Sequence, residues 1–318
     1  MDVVFLGTAE FAVPTLDALL ASAHHRVVGV VTQPDRPKGR ERRLAAPPVK
    51  TAALAAGVPF LQSTDVNAPD ALEWIRSRRP DAGVVVAFGQ FLGRALRAIP
   101  AHGFVNLHAS LLPRYRGAAP IYAAIRAGDR ETGVSVIRVE RTMDAGPVFT
   151  RRAVPIGPDD SAGELAARLA AAGAPLVESV LDALEAGSAR AEPQDAARAT
   201  QVGRIGAAER RLRWDRPAAE LHDQVRALTP HPGTVAEYES QRGERFGVRI
   251  TRTAVAAGAS PVAVPAGTVL GPEGEEALRV RVQGAPDLLV VRLVPAGARE
   301  MTGVELLRGR GRGGGRFA

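Results

Sequence analysis

Residues 104–121 read FVNLHASLLPRYRGAAPI, and the rest of the chain is organised around this stretch. It opens as an apolar strand and then places Asn106 and His108 two residues apart, so both side chains leave the same face of the strand. A Ser-Leu-Leu-Pro turn and a glycine-containing loop follow over residues 110–117, and a helix is predicted to begin near Ala118. A strand that ends in polar side chains, a loop and a helix is how open α/β sheets build sites at the carboxyl ends of their strands.

Apolar strands alternate with helical segments on the amino-terminal side of this stretch. Strands are predicted over residues 3–6, 27–31 and 83–88, separated by helical apolar spacing over 11–20 and 69–77. The run GVVVAF is continuously apolar, as in a strand buried on both faces. The pattern predicts an α/β fold, a Rossmann-like and mostly parallel sheet with helices on both faces. A single glycine follows the first strand, so the dinucleotide-binding fingerprint is absent.

The carboxy-terminal part of the chain has a different pattern. Residues 187–204 are small, polar and weakly patterned, and short Val- and Arg-rich runs separated by Gly and Pro follow them. These runs predict a small β-barrel of the OB type. We therefore expect an α/β domain at 1–189 that holds the site, a linker at 190–204 and a β-barrel domain at 205–318 with a basic, mobile tail.

Composition excludes several classes of protein. The 318 residues are 46% hydrophobic and 24% charged, which is ordinary for a soluble globular protein. There is no cysteine, so disulfides and thiolate metal sites are excluded and a reducing compartment fits. The start, MDVVFLGTAEF, lacks the basic and apolar regions of a signal peptide, and no apolar run is long enough to span a membrane. We expect a cytoplasmic protein, and a monomer because no apolar surface stripe is evident.

The net charge of +7 is concentrated in one loop and one tail. Residues 32–50, TQPDRPKGRERRLAAPPVK, form a long Pro- and Arg-rich segment, and loops of this length within a domain are usually functional or disordered. A clustered basic loop is typical of contact with a polyanion such as RNA, although a solvated surface loop explains the charge equally well. Its basic side chains are Arg36, Lys38, Arg40, Arg42, Arg43 and Lys50.

Three polar side chains are candidates for chemistry, namely Asn106, His108 and Asp144. An amide that donates and accepts, an imidazole that titrates near neutrality and a carboxylate that orients either one are together compatible with acyl transfer to an amine. Such a reaction develops an oxyanion and moves a proton. The pattern alone also fits a structural histidine and a turn-forming aspartate two residues before a glycine.

Two other kinds of site are less well supported by the residues. The remaining histidines show no metal-binding spacing, so we expect no metal. A serine nucleophile at Ser110 lacks the G-x-S-x-G elbow.

Beyond these single residues, NLHASLLPRYRGAAPI and GDRETGVSVIRVERTMDAGPV closely resemble the methionyl-tRNA formyltransferases, which belong to the folate-dependent formyltransferases. The segments FLGTAEFAVPTLDALL, TQPDRPKGR, VVVAFGQFL and RLRWDRPAAELHDQVRAL resemble the same family and occur in its order. The resemblance covers residues 2–230 well and the β-rich end more loosely.

The resemblance implies a reaction and a set of site residues. The formyl group of 10-formyltetrahydrofolate, a substrate, passes to the α-amino group of methionine on initiator tRNA. The family's catalytic trio falls on Asn106, His108 and Asp144, and its tRNA contacts fall on the basic loop, where Arg40 is the best-matched arginine. The carboxy-terminal barrel is then expected to follow the tRNA backbone, a sequence-independent electrostatic task. The family's folate-contacting loop falls on Ser110, Leu111, Leu112 and Pro113, and its tRNA-binding loop on Arg36, Lys38, Arg40, Arg42 and Arg43.

Two alternatives remain open at this stage. A formyltransferase with the same catalytic domain can act on an amino-sugar nucleotide, on glycinamide ribonucleotide or on water. A non-catalytic tRNA-binding protein can use the same scaffold, but that interpretation requires loss of the trio, and all three residues are present.

Overall fold

A computed structural model describes residues 1–38, 43–258, 260–311 and 313–318. The chain divides into two compact units. The first consists of Met1–Pro120, Glu131–Pro155 and Ala166–Val202, and the second of Ile121–Arg130, Ile156–Leu165 and Gly203–Ala318.

The helices and strands follow the alternation that the sequence predicts. In chain order they are β1 (Asp2–Gly7), α1 (Val13–Ala21), β2 (Arg26–Thr32), β3 (Arg36–Lys38), β4 (Arg43–Ala45), α2 (Pro48–Ala55), β5 (Phe60–Gln62), α3 (Pro69–Ser77), β6 (Ala82–Val86), α4 (Arg94–Arg97), β7 (Phe104–His108), β8 (Arg116–Gly117), α5 (Pro120–Arg126), β9 (Glu131–Arg138), β10 (Val148–Pro155), α6 (Ala162–Glu185), β11 (Gln201–Val202), α7 (Ala207–Arg210), α8 (Ala218–Leu228), β12 (Ala236–Ser240), β13 (Arg245–Val255), β14 (Val269–Glu273), β15 (Ala277–Val280), β16 (Leu288–Pro295), β17 (Met301–Thr302), α9 (Gly303–Arg308) and β18 (Gly315–Phe317).

The main sheet of the first unit is mostly parallel. Among the described residues its strands lie in the order β10-β9-β7-β6-β1-β2-β5. β5, β2, β1, β6 and β7 are parallel, whereas β9 and β10 pair antiparallel at one edge. The chain runs outward from β1 through β2 to β5 and then returns to β6 on the other side of β1. Such a reversal of strand order marks the place where open α/β sheets bind ligands, beyond the carboxyl ends of the strands.

Helices cover both faces of this sheet, as the sequence predicts. Leu6 and Val85 point to the face on which Ile75 of α3 and Leu96 of α4 complete one buried cluster. Leu107 of β7 points to the opposite face, where it lies against Gly173 of α6. A side chain at this glycine would collide with Leu107, so the close approach of helix and strand requires glycine there. The predicted Rossmann-like architecture is confirmed.

The second unit contains the predicted β-barrel. Its strands lie in the order β14-β15-β16-β13-β12-β18, and β17 pairs with β16. The backbone N–H of Phe317 donates to the carbonyl oxygen of Gly267 at 2.8 Å, and Thr268 pairs with Arg316, so the last strand returns to the first and closes the barrel. Closure removes the exposed strand edges that an open sheet would leave.

An aromatic cluster fills one end of this barrel. The ring of Phe317 stacks on Trp214 at 4.9 Å between centroids and meets the edge of Tyr238 at 5.0 Å, and all three side chains are buried. This finding corrects the prediction of a mobile tail over residues 315–317. The glycines hide the strand from sequence patterns, but burial of one phenylalanine and pairing with β12 order it.

Two further segments differ from the sequence prediction. Apolar spacing over residues 92–99 predicts a helix, but the structure has only the single turn α4 there. Gly93 precedes this turn, and its N–H donates to the side chain of Asn67. The segment 32–50 contains the hairpin β3–β4 and the start of α2.

Candidate active site

The structure brings the three predicted side chains together at the carboxyl end of β7. The amide Nδ2 of Asn106 lies 3.5 Å from Oδ1 of Asp144, and Nδ1 of His108 lies 3.6 Å from Oδ2 of the same carboxylate. The His108 and Asp144 side chains are only 7% and 13% exposed. These distances are longer than strong hydrogen bonds, which is common for catalytic groups without substrate. The three groups form one polar cluster around the carboxylate.

The orientation of His108 is determined by the loop that follows it. Its Nε2 lies 2.9 Å from the carbonyl oxygen of Tyr115. A carbonyl oxygen can only accept, so Nε2 carries a hydrogen and donates it. Nδ1 is thereby left as the nitrogen that faces Asp144 and that can take up a proton beside a carboxylate.

Asp144 occupies a strained turn between β9 and β10. Its φ of 53° lies in the left-handed region, which costs a residue with a side chain about 1 kcal/mol. Its Oδ2 accepts from the backbone N–H of Gly117 at 2.8 Å. Gly146, two residues on, passes so close to the carbonyl of Arg138 that a Cβ there would collide with it. The tight turn therefore directs the carboxylate inward, toward β7.

The loop Ser110–Pro113 is held firmly within the first unit. The hydroxyl of Ser110 is fully buried and donates to the carbonyl of Arg114 at 2.6 Å. Leu112 is also buried, while Leu111 and Pro113 are half-buried. The hydroxyl of Ser135 bridges the loop by donating to the carbonyl of Ser110 at 2.7 Å and accepting from the N–H of Leu112 at 3.1 Å. The loop thus presents a fixed shape, and its serine hydroxyl is already engaged.

Neighbouring strand ends contribute polar groups that the sequence analysis did not single out. The hydroxyl of Thr8, after β1, and the amide of Gln33, after β2, both donate to the carbonyl of Phe88, after β6, at 3.1 and 2.7 Å. Arg36 in turn donates to the side chain of Gln33. A hydrogen-bonded chain therefore links the base of the β3–β4 hairpin to the edge at which β7 ends. A lone Thr and a lone Gln carry no motif that would have revealed this.

Only part of the predicted basic loop falls within the described residues. Arg36 is an exposed residue of β3, and Arg43 is an exposed residue of β4 that pairs with Lys38 in the hairpin. Arg40 and Arg42 lie outside the described residues. Below the hairpin, Lys50 donates to both oxygens of Asp35 at 2.8 Å. The hydrogen bonds from Lys50 and then from Gln62 lower the pKa of the Asp35 carboxyl.

A segment predicted to be linker contacts the site. Over residues 192–202, Glu192 pairs with Val148, and β11 pairs in parallel with β8. Between them, Nε2 of Gln194 donates to the carbonyls of Asp144 and Gly146 at 2.8 and 2.7 Å. Sequence reasoning missed Gln194 because its partners lie about fifty residues away and no periodicity marks it.

Neither a cluster of metal ligands nor a membrane-spanning helix is found in the described part of the chain. No group of three or more metal-ligating side chains is found among those residues. No helix within the same ranges is both long and apolar enough to cross a membrane.

Two family models match the chain and together cover most of it. Residues 1–181 match the model described as formyl transferase. Residues 204–311 match the model described as formyl transferase, C-terminal domain.

Curated relatives match over almost the whole length. A methionyl-tRNA formyltransferase of Moorella thermoacetica is 41% identical over 97% of this chain and 96% of its own. A methionyl-tRNA formyltransferase of Sorangium cellulosum is 39% identical over 98% of this chain and 97% of its own.

Solved structures with low sequence identity share the fold. A sugar 3N-formyl transferase, WlaRD, crystallised with dTDP and 5-N-formyl-THF, has a TM-score of 0.65 at 15% identity over 94% of this chain and 99% of its own. HypX from Aquifex aeolicus in complex with tetrahydrofolic acid has a TM-score of 0.64 at 15% identity, over 98% of this chain and 47% of its own. The family models and the near full-length relatives carry the assignment: the chain belongs to the formyl transferase family and, within it, to the methionyl-tRNA formyltransferases.

Proposed function

We propose that this protein transfers the formyl group of 10-formyltetrahydrofolate to the α-amino group of methionine on initiator tRNA. The observation that carries the proposal is identity of about 40% with methionyl-tRNA formyltransferases over nearly the full chain. The polar cluster at the end of β7 supplies the kinds of group that the reaction requires. Formyltetrahydrofolate enters as a substrate and supplies the formyl carbon.

Asn106 and His108 divide the two tasks of amine acylation. Attack of the amine on the formyl carbon places negative charge on the formyl oxygen and positive charge on the nitrogen. The amide N–H of Asn106 donates to that oxygen, a contact that strengthens as charge develops. Nδ1 of His108 takes the proton that the attacking nitrogen must lose, since Nε2 already donates to Tyr115. Collapse of the tetrahedral intermediate breaks the bond between the formyl carbon and the folate nitrogen, and that nitrogen takes the proton that His108 accepted.

Asp144 orients both partners and compensates charge. With one oxygen near Asn106 and the other near His108, the carboxylate fixes the rotamers of the two side chains. Once Nδ1 of His108 is protonated, the same carboxylate faces the positive imidazolium, which opposite charge stabilises in a site of low exposure. The third contact of Asp144, with the N–H of Gly117, holds the carboxylate in place through the reaction.

The folate is assigned to the loop Ser110–Pro113. Since Ser110 and Leu112 are buried, the contacts come from the loop backbone and from the half-buried side chains of Leu111 and Pro113. A loop fixed by Ser135 offers its groups in one arrangement, and little entropy is lost when a ligand binds there.

The tRNA is assigned to the basic loop and the barrel. Arg36, Lys38, Arg40, Arg42 and Arg43 contact phosphates near the acceptor end, and the second unit follows the backbone, so affinity falls as salt rises. We assign the chemistry to residues 1–189 and the barrel function to 205–318, with 190–204 joining them. We further propose that the protein acts as a monomer in the cytoplasm and binds no metal.

An acceptor comparison tests the proposal. The protein is incubated with 10-formyltetrahydrofolate and, separately, with charged initiator tRNA, an amino-sugar nucleotide and glycinamide ribonucleotide. We expect formylmethionine on the tRNA only. Formylation of the sugar or the ribonucleotide without formylation of the tRNA would establish one of the alternative formyltransferase activities instead, and no transfer to any acceptor would leave the non-catalytic alternative.

A further inference from the structure

The segment 192–202 pairs with two strands of the first unit, one on each side of the site. Its backbone pairs with β10 at Glu192, and its end, β11, pairs with β8. Thr200 adds two bonds to the loop after β7: its hydroxyl accepts from the N–H of Tyr115 at 2.8 Å, and its N–H donates to the carbonyl of Pro113 at 3.2 Å. Both the loop that holds His108 and the turn that holds Asp144 are therefore tied to one segment.

Gln194 makes the contact nearest to the chemistry. Its Nε2 donates to the carbonyl oxygens of Asp144 and Gly146, at 2.8 and 2.7 Å, which uses both of its amide hydrogens. Its Oε1 accepts from Nε and Nη2 of Arg116 at 3.0 and 2.7 Å. Exchanging the oxygen and nitrogen would place an acceptor against two carbonyls and a donor against a guanidinium, so the partners determine the orientation of the amide.

The hydrogen bonds from Gln194 support a strained backbone in the turn that holds Asp144. Asp144 has its φ at 53°, and the backbone is under strain that the surrounding structure must hold. Gln194 fastens the turn on both sides of Ala145, while Arg116, which holds Gln194, precedes the Gly117 N–H that binds the Asp144 carboxylate. Gln194 thus holds the main chain of Asp144 directly, and it supports the Asp144 carboxylate indirectly, through Arg116 and Gly117.

We infer that Gln194 is a positioning residue for the formyl-transfer reaction. It contacts no reacting atom and acts by holding the Asp144 carboxylate at Asn106 and His108. The inference rests on the proposed function, and it assigns to the site a residue from the segment that the sequence predicts to be a linker. Displacement of a catalytic group by about 1 Å can cost about 10²-fold in rate, which sets the size of the effect expected from Gln194.

Two substitutions separate loss of the donors from loss of volume. Gln194→Glu keeps the shape and the acceptor for Arg116 but turns an oxygen toward two carbonyl oxygens. Gln194→Ala removes the side chain altogether. Gln201→Ala is the matched control, because it removes the same kind of side chain from an exposed position of the same segment. Circular dichroism verifies that each variant is folded at the assay temperature.

We expect both Gln194 variants to lose kcat for methionyl-tRNA by about 10²-fold, with the KM for tRNA unchanged and Gln201→Ala like the wild type. The readout that a purely structural role would not move is a double-mutant cycle with Asp144→Ala, measured in single turnovers with excess enzyme. If Gln194 acts through Asp144, Gln194→Ala removes little further rate once that carboxylate is gone.

Two results would overturn the inference. One is wild-type kcat in both Gln194 variants, and the other is an equal fold-loss from Gln194→Ala with and without Asp144. Wild-type protein that formylates no methionyl-tRNA would instead overturn the proposed function and this inference with it, so the two failures are distinguishable.

Discussion

The two units of this chain hold their key residues in place by different means. In the first, Asn106, His108 and Asp144 are fixed by hydrogen bonds to carbonyls, amides and one another. In the second, Trp214 and Phe317 fix the closing strand through ring stacking in an apolar core. The hydrogen bonds in the first unit orient polar groups and add little to the stability of the fold. The ring stacking in the second unit stabilises the fold and offers no reactive group. Activity and stability should therefore respond to different substitutions.

The largest expected effect is on the rate. Asn106→Ala and Asp144→Ala should each lower kcat for formyl transfer by about 10²–10³-fold, because each removes a group that stabilises developing charge. The free energy of unfolding should fall by at most about 1–2 kcal/mol, which is the cost of leaving the partner groups unpaired. Steady-state kinetics and urea unfolding measure both quantities, with Asp17→Ala as an exposed control on α1. A near-normal rate in either variant would refute its assigned role.

The second unit should show the opposite response. Phe317→Ala should cost about 3–5 kcal/mol of unfolding free energy, the usual range for a buried phenylalanine, because the cavity separates β18 from the ring of Trp214. Its kcat at saturating tRNA should remain that of the wild type while the protein is folded. Phe91→Ala, at a side chain that is 53% exposed, is the control and should change stability little. Equal destabilisation in the two variants would show that β18 does not close the core.

The basic loop at residues 32–50 should affect binding and leave the chemical step intact. Changing Arg40, Arg42 and Arg43 together to glutamine should raise the KM for tRNA, with kcat little changed. The slope of log affinity against log salt should become shallower by about 0.7–0.9 for each phosphate that the variant no longer neutralises.

The control for the basic loop is a triple substitution to glutamine elsewhere on the first unit, at the exposed residues Arg76, Arg79 and Arg94. If both triple variants bind tRNA with the same affinity and the same salt slope, the basic loop is ordinary surface.

The smallest effect is a pH dependence confined to the barrel. Burial raises the pKa of Tyr238 from 10.0 to about 12. The unfolded chain releases this proton near pH 10 and the folded chain does not, so the contribution is present below pH 10 and is lost as the pH rises toward 12. The loss is roughly 1.4 kcal/mol at pH 11, midway between the two pKa values, and roughly 2–3 kcal/mol when it is complete. Urea unfolding at pH 8 and pH 11 should show it in the wild type, and Tyr238→Phe should remove it. An equal alkaline loss in both proteins would contradict the assignment.

Much of the fold follows from local patterns in the sequence. The strand at residues 104–108 and the helix at 69–77 appear where apolar spacing predicts them, because each buries a regular face. Helix α9 was missed although its start, Thr302 to Glu305, carries the S/T-x-x-E pattern of a capping box, and both capping bonds are formed. That signal was present in the sequence.

Other features have no local signal. Phe317 lies in a glycine-rich tail, and only long-range pairing with β12 and closure against Gly267 make it part of a core. Gln194 lies in a polar stretch and contacts a turn reached only after the chain has folded. Residue type alone makes the trio a candidate, and only the family resemblance assigns it a catalytic role, since Asp144 is 36 residues from His108 and no spacing rule joins them. Local patterns predict elements, whereas contacts between distant segments complete the site.

The most direct test of the account compares single-turnover formyl transfer to methionyl-tRNA in the wild type, Asp144→Ala and Phe317→Ala. All three are assayed at saturating tRNA and at a temperature where circular dichroism shows them folded. The account predicts that Asp144→Ala loses about 10²–10³-fold in rate and that Phe317→Ala transfers formyl at the wild-type rate. A wild-type rate in Asp144→Ala, or a comparable loss in folded Phe317→Ala, would contradict the placement of the chemistry in the polar cluster at the end of β7.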